Sequence, residues 1–289
     1  MHMESKWSGT IEDAFFNGEA FDRNRKLQQP EKEASGRSGS TSYYVVSADI
    51  GRRGCDSVAT IIKVIPSSGG QQSTKSIVNI YTKSDEHFES QALWLKKLYY
   101  AYRAQRLVID ANGLGLGLVD YLIKPQIDEL TNDYYPPFGV YNDPDNYYKK
   151  FITDDTEQEA MFLVKAQAAI TTEVYTNLQT QLNSGRIKFL IDERVAKMKL
   201  LATKMGQAMR PEERQEYLLP FTLTSILREE LLNLHEETEG VNINLKQTNR
   251  RIKKDKVSSL GYGLYYIKQE EESKRKKKKF KISDLMFFS

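Results

Sequence analysis

Tyr43 to Gly54 reads YYVVSADIGRRG. Its first six residues, Tyr43 to Ala48, are apolar apart from the Ser47 hydroxyl, which is the pattern of a buried strand. A carboxylate, Asp49, then stands where the strand should leave the sheet. A second stretch repeats the arrangement: Arg106 to Asn112, RLVIDAN, ends its apolar run on Asp110. Parallel neighbours in a sheet lie about 4.8 Å apart. Two Asp side chains at such adjoining strand ends can hold a divalent cation between them.

The flanking sequence supports that pairing. Ser57–Ile65 (SVATIIKVI) and Lys75–Thr82 (KSIVNIYT) are rich in β-branched residues and follow Tyr43–Ile50 through polar turns, which predicts an antiparallel meander of three strands. In Glu86–Ala104, Phe88, Ala92, Leu95, Tyr99 and Tyr102 recur at helical spacing. A helix between two strands is the usual way to make them parallel, so the Arg106 strand is expected beside the first. A second helix should open between Gly113 and Ile123. Thr131–Asp155 is rich in Asp, Asn, Pro and Tyr and reads as a long loop. Met161, Val164, Ala168, Thr171, Tyr175, Leu178 and Leu182 predict one long helix over Glu157–Asn183. A short strand at Arg186–Ile191, helices near Glu193–Met209 and Thr224–His235, and a strand around Val241, Ile243 and Leu245 follow. Asp255 then precedes Val257, Leu260, Leu264 and Ile267, a helical stripe. The class is α/β.

The 289 residues are 39% hydrophobic, with 17 Tyr and 12 Phe, enough for a sizeable core. The single Cys55 excludes an intramolecular disulfide framework and fits a reducing compartment. No apolar run approaches the length of a membrane span. Net charge is +3, yet Lys274–Lys281 (KRKKKKFK) alone carries seven positive charges, so the rest of the chain is mildly acidic. Such a run reads as a disordered arm that meets nucleic acid or an acidic partner, or simply as a solvated end. Residues 1–40 read as a lead-in whose Trp7, Phe15, Phe16 and Phe21 can dock on a neighbouring surface. Glu31–Ser42 reads as a polar linker. Ordered core is expected from Tyr43. The expected organisation is a connector and flexible linker over 1–42, one folded domain over 43–270, and a basic tail over 271–289.

Asp49, Asp110 and Asp255 form the candidate site. Oxygen ligands with few His nearby suit hard cations such as Mg²⁺ or Mn²⁺. Two such ions about 3.5–4 Å apart can activate a water and stabilise the leaving oxygen in phosphodiester hydrolysis. Asp49, central in the sheet, is the expected bridge between the ions, with Asp110 and Asp255 completing the two sites. Each Asp also has a plainer reading, as a turn residue at a strand end or as a helix N-cap; the combination favours the metal site. Arg52 and Arg53 follow Asp49, and Arg250, Arg251, Lys253, Lys254 and Lys256 flank Asp255. These cations suit an approaching phosphate backbone, or are solvated loop charges. Asp56 and Asp192 are better explained as turn residues than as auxiliary carboxylates. Gly113 to Gly117 (GLGLG) lacks dinucleotide-loop spacing; its glycines are expected to let a helix start pack behind Asp110. No phosphate loop of an ATPase motor is present, and His2, His87 and His235 are scattered.

VVSADIGRRGCDSVATIIKV, LVIDANGLGLGLVDYL and NINLKQTNRRIKKDKVSSLGYGLYYI, together with WSGTIEDAFF near the start, resemble the C-terminal nuclease domain of tailed-phage terminase large subunits, over about Trp7 to Lys268. The resemblance implies a ribonuclease H-like fold, a mixed central β-sheet flanked by helices on both faces. It implies Asp49, Asp110 and Asp255 as the catalytic, metal-binding acids, two Mg²⁺ or Mn²⁺ ions, and cutting of concatemeric double-stranded DNA during genome packaging. It implies a small terminase subunit and a portal protein as partners, in the host cell cytoplasm, and a missing ATPase domain before the WSGTIEDAFF connector. The lysine-rich tail matches no feature of the family. Two other readings remain: another nuclease of this fold, such as a Holliday-junction resolvase, and a DNA-gripping or portal-docking module that does not cut in isolation. An actin-like ATPase, suggested by the DIG at 49 to 51, is disfavoured by the Arg52–Arg53 that follows and by the short chain.

Overall fold

The computed structural model describes residues 14–35, 41–52, 54–67, 72–84, 86–239 and 242–286, with backbone alone at 238–239 and 277–286. The first half of the chain forms α1 (Gly18–Arg23), β1 (Arg25–Leu27), β2 (Tyr43–Asp49), β3 (Asp56–Ile65), β4 (Thr74–Ser84), α2 (Phe88–Ala101), β5 (Arg106–Asp110), α3 (Leu114–Leu122), β6 (Gln126–Ile127), β7 (Tyr134–Tyr135) and β8 (Phe138–Val140). The second half forms β9 (Gln158–Val164), α4 (Ala168–Asn183), β10 (Ile187–Leu190), α5 (Glu193–Leu201), α6 (Lys204–Ala208), α7 (Pro211–Leu232), β11 (Leu234–Glu239), β12 (Asn242–Gln247) and α8 (Asp255–Met286).

Eight strands make one mixed sheet in the order β1-β10-β4-β3-β2-β5-β9-β8. The meander β2-β3-β4 is antiparallel, and β5 lies parallel to β2 with Ala48 opposite Ile109, both as expected. Asp49 and Asp110 are the next residues on these two strands, so register alone brings the two strand ends together.

Side-chain alternation fixes the face. Tyr44, Val46 and Ala48 of β2, with Leu107 and Ile109 of β5, pack beneath α2 and α3. Val45 and Val108 point the other way, into the core formed with α1, α4, α7 and α8. With a period of two, Asp49 and Asp110 share the α8 face.

α8 rests on that face at unusually short range. Ser47 Oγ donates to Ser259 O at 2.6 Å, and Ser259 Oγ donates back to Ser47 O at 2.7 Å. A Cβ on Gly263 would stand 2.6 Å from Ile62 Cδ1 and 2.9 Å from Ser47 Cβ, so only glycine lets the helix sit this low.

Four expectations are corrected. Glu157–Asn183 is not one helix: Gln158–Val164 is a strand buried between β5 and β8, and only Ala168–Asn183 is helical. The run Ala160–Val164 matched helical spacing because a parallel strand covered on both faces is apolar at every position. Core does not begin at Tyr43, since Phe16, Ala20 and Phe21 are buried in it and Phe21 stacks on Phe189 at 4.0 Å. Trp7 lies outside the described residues. The Thr131–Asp155 loop contributes β7 and β8, and β8 closes one edge of the sheet. The expected disordered arm continues α8 as helix to Met286.

Gly263→Val should destabilise the fold by about 3 kcal/mol, because the added carbons meet Ser47 Cβ, which is fixed to the strand backbone, and force Ile62 Cδ1 aside. Urea unfolding followed by circular dichroism checks this.

Candidate metal centre

Asp49, Asp110 and Asp255 converge where β2 and β5 end and α8 begins. All three are half-buried. Burial and the negative charges of Asp255 and Asp110 push the Asp49 carboxyl up to about 7, against a smaller opposing pull from Lys254 and a hydrogen bond with Ser258. Asp110 is raised by burial, partly offset by its hydrogen bonds. Its Oδ1 accepts from Asn112 N at 3.0 Å, the turn role expected of a strand-end Asp, while its Oδ2 accepts from the Tyr262 hydroxyl at 3.1 Å. Asp255 is raised by burial, with Lys253 and Lys256 opposing.

Asp255 is not the helix cap. Glu230, from α7, accepts from the backbone N–H groups of Lys256 at 2.8 Å and Val257 at 3.2 Å, and binds Lys256 Nζ at 3.0 Å. A buried carboxylate from another helix thus satisfies the first turn of α8, and the Asp255 carboxylate is not consumed by capping. Behind Asp110, a Cβ on Gly115 would overlap Asp110 O at 1.7 Å. The glycine therefore lets α3 start against the strand end, as the sequence suggested.

The basic residues divide. Arg250 and Arg251 are exposed and Lys254 is half-buried. Lys253 reaches Asp56 at 3.2 Å, tying the turn before α8 to the start of β3. Arg52 lies over the Phe88 ring at 4.7 Å. Lys256 is a correction: it is 5% exposed and locked to Glu230, so it faces the core rather than a ligand. Arg53 lies outside the described residues. Asp192 caps α5 and Asp56 holds Lys253 and Ser84, so both are structural as expected. Cys55 is a free, exposed thiol.

Sequence reasoning missed Glu230, Tyr262 and Ser258. Asp255, Ser258 and Tyr262 stand at i, i+3 and i+7, one face of a helix, so that stripe was legible. Glu230 lies in a different helix and left no local signal. On the other side of Asp110, from Ala111 onward, a cleft of ≈ 840 Å³ opens between α3 and the 140–150 segment. It is lined by Asp120, Asp143 and Asp145 against Lys150 and Lys165, which makes it a poor path for phosphates.

Among the described residues, no three His, Cys, Asp or Glu side chains close on one point as a finished metal cage. The donor chemistry nonetheless fits a hard divalent cation. Three carboxylates stand near one another with hydroxyls but no His or Cys among their partners, and the repulsion that raises Asp49 in a partly dry site is what such a cation relieves.

No protein-family model and no curated protein matches the sequence. Solved structures do. The large terminase nuclease from thermophilic phage G20c with bound cobalt aligns at a TM-score of 0.50, with 15% identity, over 87% of this chain and 96% of that one. The chain has the fold of a large terminase nuclease. The same phage protein with bound magnesium aligns at 0.49 with 15% identity over 87% and 96%, and the nuclease domain of Thermus phage P74-26 at 0.46 with 14% identity over 85% and 92%. The mixed central sheet with helices on both faces, expected from the sequence, is present.

Two outcomes are expected. Glu230→Ala strands the Lys256 charge in the core and should cost about 3–5 kcal/mol, whereas Glu230→Leu with Lys256→Met should recover most of that loss; chemical denaturation measures both. In metal-free buffer, the raised Asp49 makes the native state hold a proton that the unfolded chain releases from about pH 4. Stability contributed here therefore falls as pH rises toward 7. Asp49→Asn should raise the urea midpoint at pH 8, by on the order of 1 kcal/mol in stability, and change little at pH 4.

Proposed function

We propose that the chain is a divalent-metal-dependent DNA endonuclease that cuts concatemeric double-stranded DNA during phage genome packaging. The observation that carries the reading is the trio Asp49, Asp110 and Asp255 on one face of the sheet, each raised by burial, with Asp49 held up at about 7 by its two neighbours. The shared fold supports it, and the G20c nuclease with that fold was crystallised with cobalt.

Two Mg²⁺ or Mn²⁺ ions, when bound, would supply Lewis-acid stabilisation of the phosphate and lower the pKa of water. Asp49, Asp110 and Asp255 would be the residues that hold them. The chain's own part is orientation. Tyr262 and the Asn112 amide hold both oxygens of Asp110. Ser258 donates to Asp49 from the first turn of α8. Glu230 fixes the start of that helix and hence Asp255. Water adds to the phosphorus, one P–O ester bond to a sugar oxygen breaks, and that oxygen leaves with a proton that comes from the water, with no covalent enzyme intermediate.

DNA approaches from the side of Arg250, Arg251 and Lys254, since the opposite cleft carries more carboxylates than lysines. Arg52 and Lys253, already engaged with Phe88 and Asp56, are secondary contacts. In the packaging motor the partners are a small terminase subunit and a portal protein, in the host cytoplasm. Among the described residues no helix is long and apolar enough to cross a membrane.

Incubating the chain with supercoiled plasmid and Mg²⁺, Mn²⁺ or EDTA should give metal-dependent nicking and linearisation. Asp49→Ala and Asp255→Asn should each lower it at least about a hundredfold. Tyr262→Phe should raise the half-saturating metal concentration about tenfold with less effect at saturating metal. Retained DNA binding without cutting under either metal would instead favour a DNA-gripping module.

A further inference from the structure

α8 joins two chemically different ends of the molecule. Its first turn holds Asp255 beside Asp49, at the far end of β2. Val257, Leu260, Leu264, Tyr266 and Ile267 are then buried on the sheet, and Ser259 is bonded to Ser47. The helix runs back along β2, so that Lys274 Nζ stands 5.4 Å from the centre of the Tyr43 ring, at the strand's opposite end. From Ser273 to Lys276 every residue is exposed, and the helical backbone continues to Met286. At 1.5 Å per residue, Lys274 lies about 28 Å from Asp255 along the helix. The lysine run therefore lies outside the carboxylate site, at the opposite end of the sheet.

The acids that precede the run are already engaged. Glu271 binds Lys75 at 3.1 Å and also accepts from Ser73, Glu272 lies 3.9 Å from Lys268, and Glu270 lies 3.8 Å from Lys274. Seven cations in Lys274–Lys281 then follow. Seven cations within eight residues put like charges at i,i+4 along this helical backbone. Like charges at i,i+4 destabilise a bare helix, and a polyanion removes that penalty. The spacing also selects the ligand. Seven charges over eight residues give one per about 1.7 Å of helix axis, which is the axial charge density of duplex DNA.

We propose that Lys274–Lys281 is a second nucleic-acid contact, at the opposite end of the sheet from the carboxylates, that holds a phosphate backbone without taking part in cutting. A single duplex touching both ends would lie along the body for about eight base pairs, at 3.4 Å each. The contact is electrostatic, so it is indifferent to sequence and sensitive to salt.

The test is fluorescence anisotropy of a labelled duplex of about 30 base pairs, which exceeds twice the length of α8, titrated across KCl in EDTA. The full chain is compared with a variant carrying Gln at 274, 275, 276, 277, 278, 279 and 281, a residue of good helix propensity. Neutralisation should weaken binding more than tenfold and flatten the log–log salt slope by about 3 or more. Arg at the same positions should restore both, and near-UV circular dichroism should match the parent. With no divalent ion present, the result is independent of cutting, so it stands or falls apart from the endonuclease reading. Unchanged affinity and salt slope in the Gln variant would overturn the proposal. A parent chain that prefers polyglutamate to duplex of equal charge would overturn it too, by making the segment a contact for acidic polypeptide.

Discussion

The seat of α8 on β2 is the constraint on which the rest of the structure depends. Ser47 and Ser259 exchange hydrogen bonds at 2.6 and 2.7 Å, and Gly263 leaves no room for a side chain beneath the helix. Both hydroxyls are buried, and each would cost about 1–3 kcal/mol if left unpaired. Their pairing therefore fixes the helix in rotation and in height. Rotation decides whether Asp255, one turn before Ser259, faces Asp49 or solvent. Height decides whether Tyr262 reaches Asp110. A larger residue at Gly263 would lift the helix and loosen both, so packing and site geometry rest on the same few atoms.

That seat carries a cost which the fold meets elsewhere. Three carboxylates brought together in a partly dry site oppose folding, and the raised Asp49 is the visible sign. Opposing it are the Glu230 cap, which anchors the first turn of α8, and the two large cores above and below the sheet. The arrangement suits a site completed by a cation: the protein tolerates the repulsion and the ligand removes it. Lys256 shows how tightly the charges are partitioned. One residue from Asp255, it turns into the core and pairs with the buried Glu230, while its charge still opposes the rise of Asp255.

Much of this was legible in the chain because period-two and period-3.6 patterns are local. VVSAD and LVID each end an apolar run on an acid, and the helix linking them made the strands parallel. From those facts the shared face of Asp49 and Asp110 follows without a structure. The misreadings have physical causes too. Ala160–Val164 is apolar at every position because β9 is covered on both faces, and an unbroken apolar run fits either period. Lys256 was grouped with its neighbours because sequence shows charge but not direction, and a helix start turns successive side chains by 100°. Glu230 could not be found at all, since its partners lie 26 and 27 residues away. Phe16 and Phe21 read as a docking surface because the segment that follows them is polar, yet α1 and β1 bring them into the core of the same sheet.

The two ends of β2 also differ electrostatically, and the difference bears on how a polyanion can lie on this molecule. At one end stand the carboxylates, edged on one side by the Arg250–Lys254 turn and on the other by the cleft with Asp120, Asp143 and Asp145. At the other end Glu271 and Glu272 stand against Lys75 and Lys268, Glu270 stands against Lys274, the first residue of the lysine run, and the run continues beyond them. Carboxylates repel phosphates until a cation intervenes, so attraction must come from groups that are not themselves in the reacting centre. Placing a dense run of charge about 28 Å from the acids along one helix keeps that attraction strong without neutralising the acids directly, because screening at physiological salt extinguishes most of the interaction beyond about 8 Å. On the proposed reading, the helix separates the electrostatics of holding from those of cutting.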